Sequence, residues 1–89
     1  MNPTRKTETL SLEGMELSVG DWCDVVVWVD YEYEDRFATD ADIHELSIDS
    51  VKIFDGDEKE FFGRIIPRKR LTFKDEHKIF NAVQRLVER

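Results

Sequence analysis

Between Leu10 and Ile53 the apolar residues fall mainly on alternate positions, the period of strands with one buried and one wet face. In "ETLSLEGMELSV", a turn at Glu13 and Gly14 sets Leu12 opposite Met15 and Leu10 opposite Leu17, a hairpin whose four apolar residues share the face that Val19 continues. Glu is a poor first residue for a type I′ turn, which leaves the loop length open; the pairing logic survives a bulge. A third strand runs from about Cys23 to Glu34. Val25, Val27, Val29, Tyr31 and Tyr33 lie on one of its faces, and Val26, Trp28, Asp30, Glu32 and Glu34 on the other. The first face stays apolar throughout, while the second turns acidic halfway.

"EDRFATDAD" has the polar content of a loop, and "IHELSIDSVKIFDG" reads as a fourth strand closed by a turn at Asp55 to Asp57. Its phase slips, since Leu46 and Ile48 have one parity and Val51 and Ile53 the other. A bulge at Asp49 and Ser50 returns both pairs to the core; the alternative is a strand buried on both sides. In "FFGRIIPRKR", Gly63 and Pro67 forbid a long regular element while Phe61, Phe62, Ile65 and Ile66 call for burial, so this segment is expected to wrap over an edge or end of the sheet. "LTFKDEHKIFNAVQRLVER" is helical, with Thr72 as N-cap, Asp75 completing a capping-box-like arrangement, and Ile79, Phe80, Val83, Leu86 and Val87 as its apolar stripe. Arg85 and Arg89 suit the helix dipole.

These elements make one α+β domain over 1–89, an antiparallel sheet of about four strands with one C-terminal helix packed on one face. Residues 1–6 form a flexible tail, 8–54 the sheet, 61–71 an irregular wrap and 73–88 the helix. The helix is expected to cover Leu10, Leu17, Val27, Val29, Ile48 and Ile53, and the opposite face meets solvent or a partner.

Composition agrees with a small folded domain. The 89 residues suffice for a single modest core, and 40% hydrophobic with 11% aromatic content assigns the 37% charged fraction to the surface. Cys23 is the sole cysteine, so no internal disulfide forms; "MNPTRKTETL" lacks the apolar core of a signal peptide, and no apolar run spans a bilayer. A reducing cytoplasm is expected, with no membrane association. The net charge of −7 is unevenly spread: residues 1 to 60 carry 17 acids and 5 bases, residues 61 to 89 carry 3 acids and 8 bases. From Asp21 to Glu60 there are 14 acids against Arg36, Lys52 and Lys59.

No catalytic constellation accompanies this charge. Cys23 has Asp24 beside it, and an anion raises a thiol's pKa, which disfavours a nucleophile. His44 and His77 have no ligand spacing and are taken as surface residues. "DGDEKE" has its glycine second, not sixth as in an EF-hand loop, so a solvated turn is expected and no metal or cofactor. "RIIPRKR" brings together Arg64, Arg68, Lys69 and Arg70, yet without interleaved aromatics and on a chain whose acidity repels nucleic acid. These bases read as neutralising the domain's own acidic sheet or as meeting the acidic strand of a second copy.

The acidic half-strand carries the functional expectation. Asp30, Glu32 and Glu34 project at about 6.6 Å intervals, roughly a quarter of the charge density of duplex DNA, so a DNA mimic needs further rows from Asp35, Asp40, Asp42, Glu45 and the turn acids. Charges on an open strand also discourage aggregation, which explains a few acids better than a local excess of this size. Trp28 either anchors a partner beside these carboxylates or is covered by Phe61, Phe62, Ile65 and Ile66; both readings stay open.

The succession of hairpin, long "VVVWVDYEYE" strand, acidic loop, "HELSIDSVKIFDG" strand and capped terminal helix resembles small acidic proteins encoded by bacteriophages, with "FFGRIIPRKR" as a departure from it. The resemblance implies action in a bacterial host cell, as for inhibitors of host defence that include anti-CRISPR proteins occupying nucleic-acid-binding surfaces. It assigns no residue a role. The expected function is a non-enzymatic binding or inhibitor protein whose acidic face docks on a basic surface of a protein partner, with Trp28, Asp30, Glu32, Tyr33, Glu34, Asp35, Asp40 and Asp42 as binding residues. The alternative is a self-associating structural or assembly protein, a homodimer using Arg64, Arg68, Lys69 and Arg70 against the acidic strand.

Overall fold

The computed structural model describes residues 3–33, 41–54 and 64–88. Two long strands, β1 (Thr4–Leu17) and β2 (Gly20–Tyr33), form an antiparallel hairpin. β3 (Asp42–Ile53) pairs antiparallel with β2, and the two-residue β4 (Arg64–Ile65) adds to the end of β3, giving the order β1-β2-β3-β4. A 3-10 turn at Arg68–Arg70 leads into α1 (Phe73–Val87), which packs on one face of the sheet. The fold is α+β, an antiparallel sheet with one C-terminal helix.

The hairpin turn is not at Glu13 and Gly14. β1 continues through both residues, and the chain reverses at Ser18 and Val19, with Leu17 facing Gly20. Gly14 adopts φ +66°, the left-handed region open to glycine, where the register shifts between Leu12 and Met15; this is a bulge, not a turn. Leu12 therefore faces Val25 and Leu10 faces Val27. The expected sharing of a face still holds: Leu12 and Leu17 are buried, and Leu10 and Met15 pack against the core. The longer hairpin matches the 14 residues of β2 with a partner of equal length, so its ladder hydrogen bonds are made. Thr4 to Lys6, expected in a tail, begin β1.

Cys23, Val25, Val27, Val29 and Tyr31 are all buried on the helix-bearing side of β2, as the strand period requires. On β3, Val26 pairs with Ser50 and Val27 with Ile48, leaving Asp49 as the extra residue of a bulge that returns Ile48, Val51 and Ile53 to the core. A second bulge leaves out His44, between the pairs Asp30–Glu45 and Tyr31–Ile43. In the wrap, Ile66 is buried and its N–H donates to the Val51 carbonyl at 2.8 Å, whereas Ile65 is 72% exposed, against the expectation that it be covered. The turn expected at Asp55 to Asp57, together with Phe61 and Phe62, lies outside the described residues.

On α1 the buried stripe is Ile79, Val83 and Val87. Phe80 and Leu86 are exposed, contrary to the expected wider stripe, because at ~100° per residue each lies roughly 60° to one side of Val83. Thr72 and Asp75 form a reciprocal capping box. Asp75 also accepts from Ser18 N–H (2.8 Å) and from Ser18 Oγ, fastening the helix N-terminus to the β1–β2 turn, while Gln84 Nε2 donates to the Ala41 carbonyl at 2.7 Å. With its helix face closed by α1, the sheet presents its other face outward.

Candidate functional site

Alternation along β2 sends Asp24, Val26, Trp28, Asp30 and Glu32 to the face away from α1. Trp28 stands between Thr9 on β1 and Ser47 on β3, two small neighbours that leave the indole half-buried. Neither described residue expected to cover it does so. Ile66 enters the core, and Ile65 pairs with Lys52, five residues from Ser47 along β3, or roughly 16 Å at ~3.3 Å per residue.

Beyond Trp28 the register places Asp30 opposite Glu45 and Glu32 opposite Asp42. Like charges in directly opposed positions destabilise a sheet, so two adjacent acid–acid pairs work against the fold that holds them. Arg5 on β1 stands beside two of the four carboxylates, bonding Asp30 and facing Glu32. Arg5 grips Asp30 with two hydrogen bonds, Nε to Oδ1 at 3.0 Å and Nη2 to Oδ2 at 2.8 Å. The hydrogen bond from Arg5 leads in holding the Asp30 carboxyl below its ordinary pKa, and the same bond, with the Asp30 charge, raises that of the guanidinium. His44 Nε2 lies 3.8 Å from Glu32 Oε2. Asp42 and Glu45 are exposed and have no ion pair among the described residues.

The structure thus brings Trp28, Asp30, Glu32 and Asp42 onto one face and adds Glu45. Tyr33 belongs to the opposite face, where it stacks on Tyr31 with ring centroids 5.8 Å apart, so it cannot act beside Trp28. Glu34, Asp35 and Asp40 lie outside the described residues. Arg68, Lys69 and Arg70 are exposed in the turn before α1, and Arg64 is exposed in β4.

Two residues of this face escape a sequence reading. Arg5 falls in the stretch expected to be a tail, although its alternation with Thr7, Thr9 and Ser11 is a strand signal. Trp22 has the parity of Trp28 and is 58% exposed; it lies over Gly14 and beside the half-buried Phe54, whose N–H donates to the Trp22 carbonyl. The open face therefore carries aromatic surface toward the β1–β2 turn, Trp28 at its middle and carboxylates toward its far end.

Cys23 is fully buried, its Sγ donates to the Gly20 carbonyl at 3.5 Å, and burial pushes its pKa up, the condition of a structural thiol. Among the described residues no group of three His, Cys, Asp or Glu side chains could hold a metal ion, and no helix is long and apolar enough to cross a membrane. No family model, curated protein or solved structure matches this chain. The geometry of the open face must be read on its own terms.

Proposed function

We propose that this chain is a non-enzymatic binding protein that lays the open face of its sheet on a basic, nucleic-acid-binding surface of a protein partner and blocks it. The observation that carries this reading is the adjacency of two acid–acid cross-strand pairs, Asp30–Glu45 and Glu32–Asp42. Folding alone disfavours such pairs; Arg5 bonds Asp30 and faces Glu32, but Asp42 and Glu45 have no ion pair among the described residues, so a cationic partner would satisfy what the fold leaves unbalanced. Trp28, two residues from Asp30 on the same face, supplies apolar burial at the edge of the charged patch. The carboxylates form two rows, about 4.8 Å apart across the strands and about 6.6 Å apart along them, still sparser than the ~1.7 Å charge spacing of duplex DNA. This suits a compact basic spot on a protein better than a groove built for a length of duplex.

The test combines Asp42→Lys with Glu45→Lys, both on β3 and away from Arg5. Each substitution turns an acid–acid pair into an opposite-charge pair, so thermal stability should be equal or higher while partner capture from a bacterial lysate is lost. The protein captured by the parent chain alone should be a basic nucleic-acid binder, and stoichiometric addition of the parent chain should displace its nucleic acid. Capture of the same proteins by the variant would reject the open face as the docking surface.

A further inference from the structure

The sheet has two long edges, and they are treated differently. β3 is broken by bulges at His44 and Asp49 and is partly paired by β4, devices that deter another strand from adding. On β1, the bulge at Gly14 and the bond from Lys78 Nζ to the Glu16 carbonyl protect only the C-terminal part. Arg5 to Leu12 runs in unbroken register with β2, contains no proline, and has no backbone partner on its outer side among the described residues. Such an edge is a template for another strand.

Its side chains specify which strand. We propose that two copies of this chain pair antiparallel along the outer edge of β1, about a two-fold axis at Thr7, joining their sheets into one. In that register Lys6 of each copy faces Glu8 of the other, and Arg5 faces Thr9. Lys6 and Glu8 both project on the helix-bearing side, where Lys6 Nζ already lies 3.6 Å from Glu8 Oε1 of the same chain and the Tyr31 hydroxyl donates to Glu8 Oε2. The carboxylate is thereby held in place before a partner arrives. A residue-centred axis also keeps both helices on one side of the joined sheet, and the neighbouring choices are repulsive: an axis at Lys6 opposes the two lysines, and an axis at Glu8 opposes the two glutamates. The alternating charges therefore favour this register over both of its immediate neighbours, and its occupant is a second copy.

The reading is independent of the proposed partner site, because Lys6 and Glu8 lie on the face opposite Glu32 and Glu45. Sedimentation equilibrium of four samples tests it: the parent, Lys6→Glu, Glu8→Lys, and an equimolar mixture of the two variants. The parent should dimerise reversibly, and each single variant should self-associate about tenfold more weakly, since both symmetric pairs become like-charged. The mixture should recover dimers at the parent's affinity, because every contact is again of opposite sign. That recovery separates lost pairing from lost folding, as a misfolded variant cannot be rescued by mixing. A parent chain that stays monomeric at all concentrations, single variants that dimerise like the parent, or a mixture that stays monomeric would each overturn the proposal.

Discussion

Asp75 joins two parts of the molecule through one carboxylate: it closes the capping box with Thr72 and accepts both hydrogen bonds of Ser18 in the β1–β2 turn. Burial, the largest single influence on its pKa, opposes ionisation, but the bonds from Ser18 and Thr72 together outweigh it and hold the carboxyl below its ordinary range. A depressed native pKa stabilises the fold above the unfolded value of ~3.9, and this contribution is lost as pH falls through the lower native value. Asp75→Asn is expected to cost about 1–3 kcal/mol in urea unfolding at neutral pH. The gap between parent and variant should narrow in acid; a gap unchanged with pH would mean that the charge contributes nothing. The capping box was legible because Thr72 and Asp75 are close in sequence, whereas Ser18 is 57 residues from Asp75 and no local pattern announces it. The same holds for Asp30, which reads as a free acid until the register brings Arg5 diagonally across to it.

At the scale of elements, the buried face of each long strand was legible, but strand division and pairing were not: the expected first and second strands are one strand, β1, and β4 lies in the expected irregular wrap. The period of two put Val25, Val27, Val29 and Tyr31 on the core face, and the phase slip in β3 called for the bulge found at Asp49. Glu13 and Gly14 misled because a glycine in the left-handed region serves a hairpin turn and a bulge equally well; the two differ only in where the next strand finds its partner. Gly14→Ala tests the bulge directly. An alanine there must adopt φ +66°, and its Cβ would come within 3.1 Å of the Trp22 ring, so stability should fall by about 1 kcal/mol or more. Gly14→Asn tolerates the backbone better but meets the same ring, and a smaller loss for Asn than for Ala in thermal unfolding would assign the cost chiefly to the backbone. Equal losses would assign it to Trp22.

For the whole molecule, the sequence showed that acids and bases are segregated along the chain, and the fold converts this into segregation in space. The surplus carboxylates Glu32, Asp42 and Glu45 lie on the open face of the sheet, whereas Arg68, Lys69 and Arg70 lie in the turn entering α1, the element that covers the other face. Two copies joined base to acid would use different surfaces on each copy, a head-to-tail contact that need not close and that rests on exposed charge. The β1 edge would instead use the same surface twice and rest mainly on main-chain hydrogen bonds, with Lys6 and Glu8 selecting the register. Ionic strength separates these modes, because exposed charge pairs weaken once the screening length, ~10 Å at 0.1 M and ~3 Å at 1 M salt, approaches their separation. Sedimentation of the parent chain from low to high salt should therefore give a dimer that persists with a modest loss of affinity. Larger assemblies that grow with concentration at low salt and dissolve to monomers at high salt would transfer self-association to Arg68–Arg70 and leave the β1 edge unpaired. Partner capture by the open face should follow the opposite rule from the dimer, falling steeply across the same series, since it depends on exposed carboxylates such as Asp42 and Glu45, which have no ion pair among the described residues.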